Sequence, residues 1–495
     1  MSPAARPRLI LRADGNPRIG LGHVMRLLAL GEILSEQFTC VFAIQEPADA
    51  VLEQLRMVCE EVVEVPPMPY DGEPAWLTQH LLQPTDVLVL DGYGFGHSFQ
   101  QAVRPAVARL VYIDDLLAFP QLADVVLNPA GGVPPANYKL ENPATRLLLG
   151  PHYAPLRQAF REVTLPERTA DTDTVLVCLG GADPTHQTQR VADELLALSS
   201  VQRVHVVVGS AYAGWEVLTH WAQTHPRITL HRNLPAAELC LLMQQCGAAV
   251  CSPSTVSYEY CAAGGGVLFV LPVADNQQNI DRFLRSEGMA LPYPSINNVL
   301  TSPEADRIAD RLRQQQAHWF DGQISHRLQQ EFAALLLPQP VFQLRPVVTA
   351  DSARLLAWTN DPTVRQFSFN PNPVAAPEHE QWLAARLNHP QHLLLLAEEQ
   401  ESKQPIGLIR FSMEGEEATL SYLLDAAYRG QGLAPQLLVQ GTRRVLQEKP
   451  ALRRVVGHVQ QRNEASIRAF RRAGFQPLSE ANSSRPDSVT FVWVN

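Results

Sequence analysis

Short, uninterrupted apolar runs punctuate the first 270 residues, at 9–11, 40–44, 87–90, 111–113 and 125–127, with helix-like stretches between them. A run with no polar alternation suits a strand covered on both faces, and helical connections are what parallel neighbours require. A second series of the same kind occupies 174–179, 204–208, 228–230, 248–251 and 267–270, with no detectable repeat of the first. A chain of 495 residues is too long for one core. The pattern predicts an α/β protein opening with two Rossmann-like domains, 1–165 and 166–320, that face a cleft.

The character changes further on. A helical pattern over 303–336 ends in Leu337-Pro338-Gln339-Pro340, where proline stops the helix and stiffens the chain beyond it, so 321–341 reads as a helix end and linker. The remaining residues, 342–495, make one more domain. Runs at 342–346, 393–397, 405–411 and 418–424 read as strands, the last three antiparallel. Helices are expected over 432–447 and 464–473, with a further strand at 455–459.

Composition narrows the partners. A formal net charge of −10 argues against nucleic acid. No apolar run approaches the ~20 residues of a membrane span, and the N-terminus lacks an apolar signal core. Seven cysteines without a C-x-x-C pair fit reduced thiols, and a cytoplasmic location is expected. Cys240, Cys246, Cys251 and Cys261 lack zinc spacing, so no metal is expected.

Chemistry concentrates in turns after strands. Gly20-Leu21-Gly22-His23-Val24-Met25-Arg26 comes after the first apolar run and leads into a helix predicted over 24–35. Its glycines permit close backbone approach, helix N–H groups attract negative charge, and His23 can move protons near neutral pH. There is no third glycine at the dinucleotide offset. In the second half, Gly180 and Gly181 form another close-approach turn, and Ser252-Pro253-Ser254-Thr255 stands between a strand and a helix. Glu259, one turn later, is placed for ribose hydroxyls or, alternatively, for solvent.

Taken together, these segments resemble the UDP-sugar hydrolases of pseudaminic acid biosynthesis, which have the two-domain GT-B fold. The resemblance rests on Arg12-Ala13-Asp14-Gly15-Asn16 with the Gly20–Arg26 segment, Asp91-Gly92-Tyr93, Ile113-Asp114-Asp115-Leu116, Leu149-Gly150-Pro151-His152-Tyr153, Leu179-Gly180-Gly181-Ala182-Asp183-Pro184 and the Ser254-Thr255, Glu259, Asn276-Gln277 series. It covers about residues 8–320. It implies hydrolysis of UDP-2,4-diacetamido-2,4,6-trideoxy-β-L-altrose to the free sugar and UDP. His23 would be the base, and Asp14 would orient it or bind the sugar. Gly20, Gly22, Arg26, Tyr93, Gly180, Gly181, Ser254, Thr255, Glu259, Asn276 and Gln277 would contact the UDP-sugar. Pro253 departs from the glycine-containing turn usual there and removes an N–H donor.

The last domain resembles the GNAT acetyltransferases. Tyr428-Arg429-Gly430-Gln431-Gly432-Leu433-Ala434 comes after a strand and leads into a helix, the setting for a pyrophosphate cradle. Asn463-Glu464-Ala465-Ser466 and Gly474-Phe475 come next, in the superfamily's order. The resemblance assigns Leu423, Leu424, Arg429, Gly430, Gln431, Gly432, Leu433, Ala434, Asn463 and Ser466 to acetyl-CoA. Many members carry a tyrosine, the general acid, where this chain has Phe470; Tyr422 and Tyr428 are the substitutes on offer. Trp358-Thr359-Asn360-Asp361, Val364-Arg365 and His379 resemble the acceptor side of the nucleotide-sugar branch. A bifunctional enzyme is expected, acetylating the 4-amino group of a UDP-amino sugar and releasing UDP from the product. A GT-B glycosyltransferase fused to an acetyltransferase, and a nucleotide-sugar sensor without catalysis, are the alternatives.

Overall fold

In the computed structural model the described residues are 6–15, 20–142, 145–163, 171–181, 183, 185–337, 342–478 and 487–495. Asn16, Ala182, Pro184 and the Pro338–Pro340 part of the expected linker lie outside them. The chain divides into two compact units, Met1–Ser325 and His326–Asn495.

The first unit holds two parallel sheets. One is built from β1 (Arg8–Ala13), β2 (Thr39–Gln45), β3 (Glu61–Val65), β4 (Val87–Asp91), β5 (Arg109–Ile113), β6 (Val125–Asn128) and β7 (Arg146–Leu149), in the order β3-β2-β1-β4-β5-β6-β7. The other joins β8 (Thr174–Cys178), β9 (Arg203–Val208), β10 (Ile228–Arg232), β11 (Ala248–Cys251), β12 (Val267–Val270) and β13 (Leu291–Pro292), in the order β10-β9-β8-β11-β12-β13. Every pairing in both is parallel. Their central strands are buried throughout, as the uninterrupted apolar runs require. In each sheet the chain first winds outward from the central strand, then returns to its other side. The order therefore reverses between β1 and β4, and again between β8 and β11. Crevices at the carboxyl ends of such strand pairs are where open α/β sheets bind ligands.

Several elements differ from the sequence expectation. The first helix spans Gly22–Leu34 rather than 24–35, which places His23 in its first turn. The helical stretch over 303–336 is two helices, Ala305–Trp319 and Ile324–Leu335, with Gly322 at φ +75° between them. β3 is a partly exposed edge strand whose two glutamates break the apolar run.

The second unit carries a seven-stranded mixed sheet. Its strands are β14 (Phe342–Pro346), β15 (His392–Glu399), β16 (Pro405–Glu414), β17 (Glu417–Leu424), β18 (Arg454–Gln460), β19 (Gln476–Pro477) and β20 (Ser488–Val494), in the order β14-β15-β16-β17-β18-β20-β19. β14 to β17 are antiparallel neighbours, whereas β17 and β18 run parallel. Leu433–Glu448, between them, is the crossover helix that a parallel pair needs. Side-chain alternation splits this sheet between two cores. Leu394, Leu396 and Leu408 pack with Trp358 and Leu383 of the helices Ser352–Thr359 and Ala376–Leu387. Leu395, Ile409 and Leu424 pack with Leu437 and Phe470 on the other face.

Candidate functional site

At the β1–β4 switch point, a chain of charged groups holds His23. Its Nδ1 lies 2.7 Å from Oδ1 of Asp91, the last residue of β4. The Asp91 carboxylate also accepts from Arg26 Nε at 2.8 Å and Nη2 at 2.6 Å. Arg26 continues to Asp115, just past β5, with bonds of 2.8 and 2.9 Å. Burial pushes the Asp91 carboxyl up, but the Arg26 charge and the bonds from Arg26 and His23 outweigh it and hold its pKa below the ordinary value. A charged Asp91 that accepts a hydrogen bond from Nδ1–H leaves Nε2 as the nitrogen with the free lone pair. The Tyr93 ring meets the His23 ring edge-on at 4.9 Å.

One sequence expectation is corrected here. Asp14 does not orient His23. Its oxygens accept from Arg12, from the Tyr70 hydroxyl at 2.8 Å and from the Gln45 backbone N–H at 2.8 Å. Arg12, fully buried, also bonds Glu73 at 2.6 and 2.8 Å. Asp14 thus closes a buried network at the strand end and does not contact His23. Breaking such a buried ion pair on one side costs ~3–5 kcal/mol. Arg12→Met should therefore lower the denaturation midpoint of the first unit markedly, as read by urea titration; an unchanged midpoint would show that the network contributes nothing. Arg26, expected to touch substrate, directs its guanidinium to Asp91 and Asp115. The sequence alone gives Asp91 no role, because its partnership with His23 exists only once β1 and β4 are neighbours.

The second sheet brings its own turns to the equivalent switch point. Gly180, just past β8, has φ +93°, a left-handed conformation that favours glycine, and a Cβ there would come 3.8 Å from Ser252 Oγ beyond β11. Gly181 packs against Gly209, leaving no room for a side chain on the latter. Ser254 precedes the helix Thr255–Ala262; its hydroxyl lies 3.1 Å from Ser252 Oγ, and its N–H donates to the Ser252 carbonyl. Thr255 is exposed. Glu259 is 3% exposed, which rules out the solvated alternative. Arg157 grips it with bonds of 2.7 and 2.8 Å. Arg157 lies before β8 and Glu259 after β11, so this pair ties the two halves together. A second tie joins two expected substrate contacts: the Asn276 side-chain amide donates to the Tyr93 hydroxyl at 2.8 Å. Gln277 accepts from the Val273 N–H at 2.8 Å and so braces its own loop. Gly20 has φ +79° and Gly22 opens the first helix.

In the second unit, β17 and β18 pair only as far as Leu420 and Gly457. Beyond that register the strands part, and Tyr422, Leu423 and Leu424 on one side face His458 and Gln460 on the other across a cleft of about 780 Å³. Of the ten residues expected at acetyl-CoA, nine line this cleft; the exception is Gln431, whose amide donates to the Ala427 carbonyl. Gly430 and Gly432 have φ +78° and +76°, and Gly432 caps the helix Leu433–Glu448. The Arg429 side chain holds the loop, donating to the Leu424 carbonyl at 3.0 Å and to Asp361 at 3.1 Å. Asn463 caps the helix Glu464–Arg472 by accepting from the Ser466 N–H.

The substitutes for the missing tyrosine separate cleanly. Tyr422 lines the cleft with its hydroxyl 3.1 Å from Ser466 Oγ, and burial raises its pKa. Tyr428 turns away to Glu399 at 3.3 Å. Phe470 stacks on Phe491 at 5.1 Å. Of the residues expected on the acceptor side, Trp358 Nε1 donates to Asp425 at 2.7 Å, and Arg365 donates to the carbonyls of Thr359, Asn370 and Asn372. His379 is buried away from the cleft lining.

Among the described residues no group of three or more His, Cys, Asp and Glu could hold a metal, and no helix is long and apolar enough to cross a membrane. All seven cysteines are buried free thiols.

Residues 342–476 match the family model described as acetyltransferase (GNAT) domain. An uncharacterized protein of Methanocaldococcus jannaschii is 21% identical over 406 residues, covering 79% of this chain and 81% of its own. The spore coat polysaccharide biosynthesis protein SpsG of Bacillus subtilis is 25% identical over 290 residues, 56% of this chain and 81% of that one. The UDP-2,4-diacetamido-2,4,6-trideoxy-beta-L-altropyranose hydrolase of Campylobacter jejuni is 22% identical over 296 residues, 58% of this chain and 99% of that one. Both of these last alignments are longer than the stretch from 342 to 495, so they take in residues of the first unit. The chain thus joins a segment similar to that hydrolase and to SpsG with a C-terminal GNAT acetyltransferase domain.

Proposed function

We propose that the chain is a bifunctional enzyme of nonulosonic acid biosynthesis. Its GNAT domain, 342–495, moves the acetyl group of acetyl-CoA to the 4-amino group of UDP-4-amino-4,6-dideoxy-N-acetyl-β-L-altrosamine. Its first two domains, 1–165 and 166–320 in a GT-B arrangement, hydrolyse the resulting UDP-2,4-diacetamido sugar to the free sugar and UDP. The setting proposed is the cytoplasm, without nucleic acid or membrane as partner.

The observation that carries the hydrolase reading is the His23–Asp91 contact at the β1–β4 switch point. Water must attack the anomeric carbon as UDP departs, and a base is needed on the water with charge stabilisation on the diphosphate. In this reading, His23 Nε2 takes the water proton while Asp91 balances the imidazolium that forms. Glu259, held by Arg157, receives the ribose; the Gly180–Gly181 and Ser254–Thr255 turns receive phosphate. Tyr93 and Asn276, already joined, flank the sugar.

For the transferase, the diverging ends of β17 and β18 leave strand-edge room for a pantetheine arm, and the Gly430–Gly432 turn presents N–H groups to its pyrophosphate. A sugar amine flanked by electron-withdrawing oxygens has a lower pKa than lysine, so little base is needed. Tyr422 is the hydroxyl available to the departing thiolate. Phe470 lines the same cleft but is almost wholly buried, and a Cβ on Gly457 would come 2.4 Å from its ring. Phe470→Tyr should change acetyl transfer less than about tenfold, because a thiol of pKa ~8.5 leaves without strong acid help near neutral pH. A hundredfold gain in rate would instead mark the native domain as lacking its acid.

The test is incubation with acetyl-CoA and a panel of UDP-4-amino sugars, with CoA and UDP release timed separately and products identified by NMR. The altrosamine derivative should give both releases in sequence. Transfer of the sugar to an acceptor other than water would favour a glycosyltransferase, and UDP binding without turnover a sensor.

A further inference from the structure

The acetyltransferase cleft is lined by Arg365, Arg410, Arg429, Arg468 and Arg472, and by no carboxylate among the described residues. Arg410 stands apart from the others. It lies on β16, opposite Ser421 of β17, and its Nε donates to Ser421 Oγ at 2.6 Å. Its guanidinium carbon sits 5.0 Å from the centroid of the Trp382 ring, against which Arg386 also stacks at 4.9 Å. Ser421 is its one hydrogen-bond acceptor among the described residues, and the side chain lines the cleft. Burial, then the charges of Arg386 and Arg365, push its pKa down to about 10. A half-buried cation held this way, stacked and without a counter-charge, offers an anion a charge-assisted partner.

The pyrophosphate of acetyl-CoA does not supply that anion. Arg410 shares the sheet face of Leu408 and Trp382, whereas the helix that the glycine loop opens packs on the opposite face. Along β17, Ser421 also precedes Leu424 by three residues, about 10 Å of extended strand, before the loop begins. The Arg410 side is the one covered by the helices Ser352–Thr359 and Ala376–Leu387.

We propose that Arg410 binds a diphosphate carried by the amino acceptor itself. The inference rests on the proposed acetylation of a nucleotide-linked amino sugar and adds to it the residue of this chain that recognises the nucleotide's diphosphate. The amine attacks the thioester carbonyl, the C–N bond forms, the C–S bond breaks, and the proton lost by nitrogen ends on the CoA thiolate. Arg410 touches none of these atoms. It holds the acceptor by a planar, charge-assisted fork that a diphosphate fits and a free sugar cannot engage.

The experiment compares initial rates of CoA release by the full chain with two acceptors, UDP-4-amino-4,6-dideoxy-N-acetyl-β-L-altrosamine and the same amino sugar without UDP. The native chain should prefer the UDP-linked acceptor by about 100-fold in kcat/KM, the scale on which losing a buried charge partner weakens binding. Arg410→Gln should remove most of that preference, leaving the free-sugar rate and the KM for acetyl-CoA within threefold, roughly the scatter of a surface change. The unchanged free-sugar rate reports an intact fold, and Arg410→Lys should recover part of the preference by restoring charge. Equal use of both acceptors, a preference that survives Arg410→Gln, or a raised KM for acetyl-CoA in its place would each overturn the proposal while leaving the sugar acetyltransferase reading standing. Failure to acetylate either sugar, with acetyl-CoA still bound, would overturn that reading and this proposal with it.

Discussion

Replacing His23 by alanine should lower UDP release by ~10²–10⁴-fold, the usual contribution of a positioned general base. UDP binding should stay within a few-fold, about the tolerance of a site that loses no direct contact, since in this account the base touches water and not the nucleotide. Steady-state hydrolysis and calorimetric titration with UDP separate the two effects. Asp91→Asn gives the sharper control. It keeps the shape of the side chain but withdraws the charge that His23 and Arg26 share, at bonds of 2.7 and 2.6 Å. Its loss should fall mostly on turnover and shift the pH profile of hydrolysis. Near-normal hydrolysis by the His23 variant would exclude this histidine as the base.

Gly432→Val should lower acetyl transfer by about 100-fold or more, because a binding loop built on backbone N–H groups tolerates neither strain nor bulk. Gly432 caps its helix at φ +76°, a region that a β-branched residue occupies only under strain. A Cβ there meets no protein atom within 4 Å, so the harm comes from the backbone and from filling the space meant for the ligand. Gly432→Ala should therefore be milder. Calorimetric titration with acetyl-CoA checks the cause: the valine variant should lose affinity, and intact binding would show that the loop is not the pyrophosphate site.

How much of each site is legible in the sequence depends on how local that site is. The turn at Arg429–Ala434 and the helix it opens are legible because consecutive residues make them. The strands of both parallel sheets are legible wherever burial on both faces keeps them apolar, and β3, with its glutamates, is not. The partnerships are another matter. His23 with Asp91, Arg157 with Glu259, and Tyr93 with Asn276 join residues 68, 102 and 183 positions apart. Nothing in either partner's neighbourhood specifies the other until the sheets assemble. Asp14 misleads for the same reason: it stands beside the glycine turn in sequence, yet Arg12 and Tyr70 claim its oxygens in space. Arg26, a cation beside the glycine turn, is balanced by Asp91 and Asp115, which its own neighbourhood in sequence does not name.

The central claim, two consecutive reactions on one chain with water as the second acceptor, is tested most directly in a single incubation. The full chain is given acetyl-CoA and the UDP-linked 4-amino sugar in ¹⁸O-labelled water, and the products are followed by mass spectrometry over time. The account predicts CoA and the acetylated UDP-sugar first, then unlabelled UDP with a free diacetamido sugar that carries one ¹⁸O at its anomeric carbon. Label on the UDP phosphate, or free sugar released before it is acetylated, would contradict it.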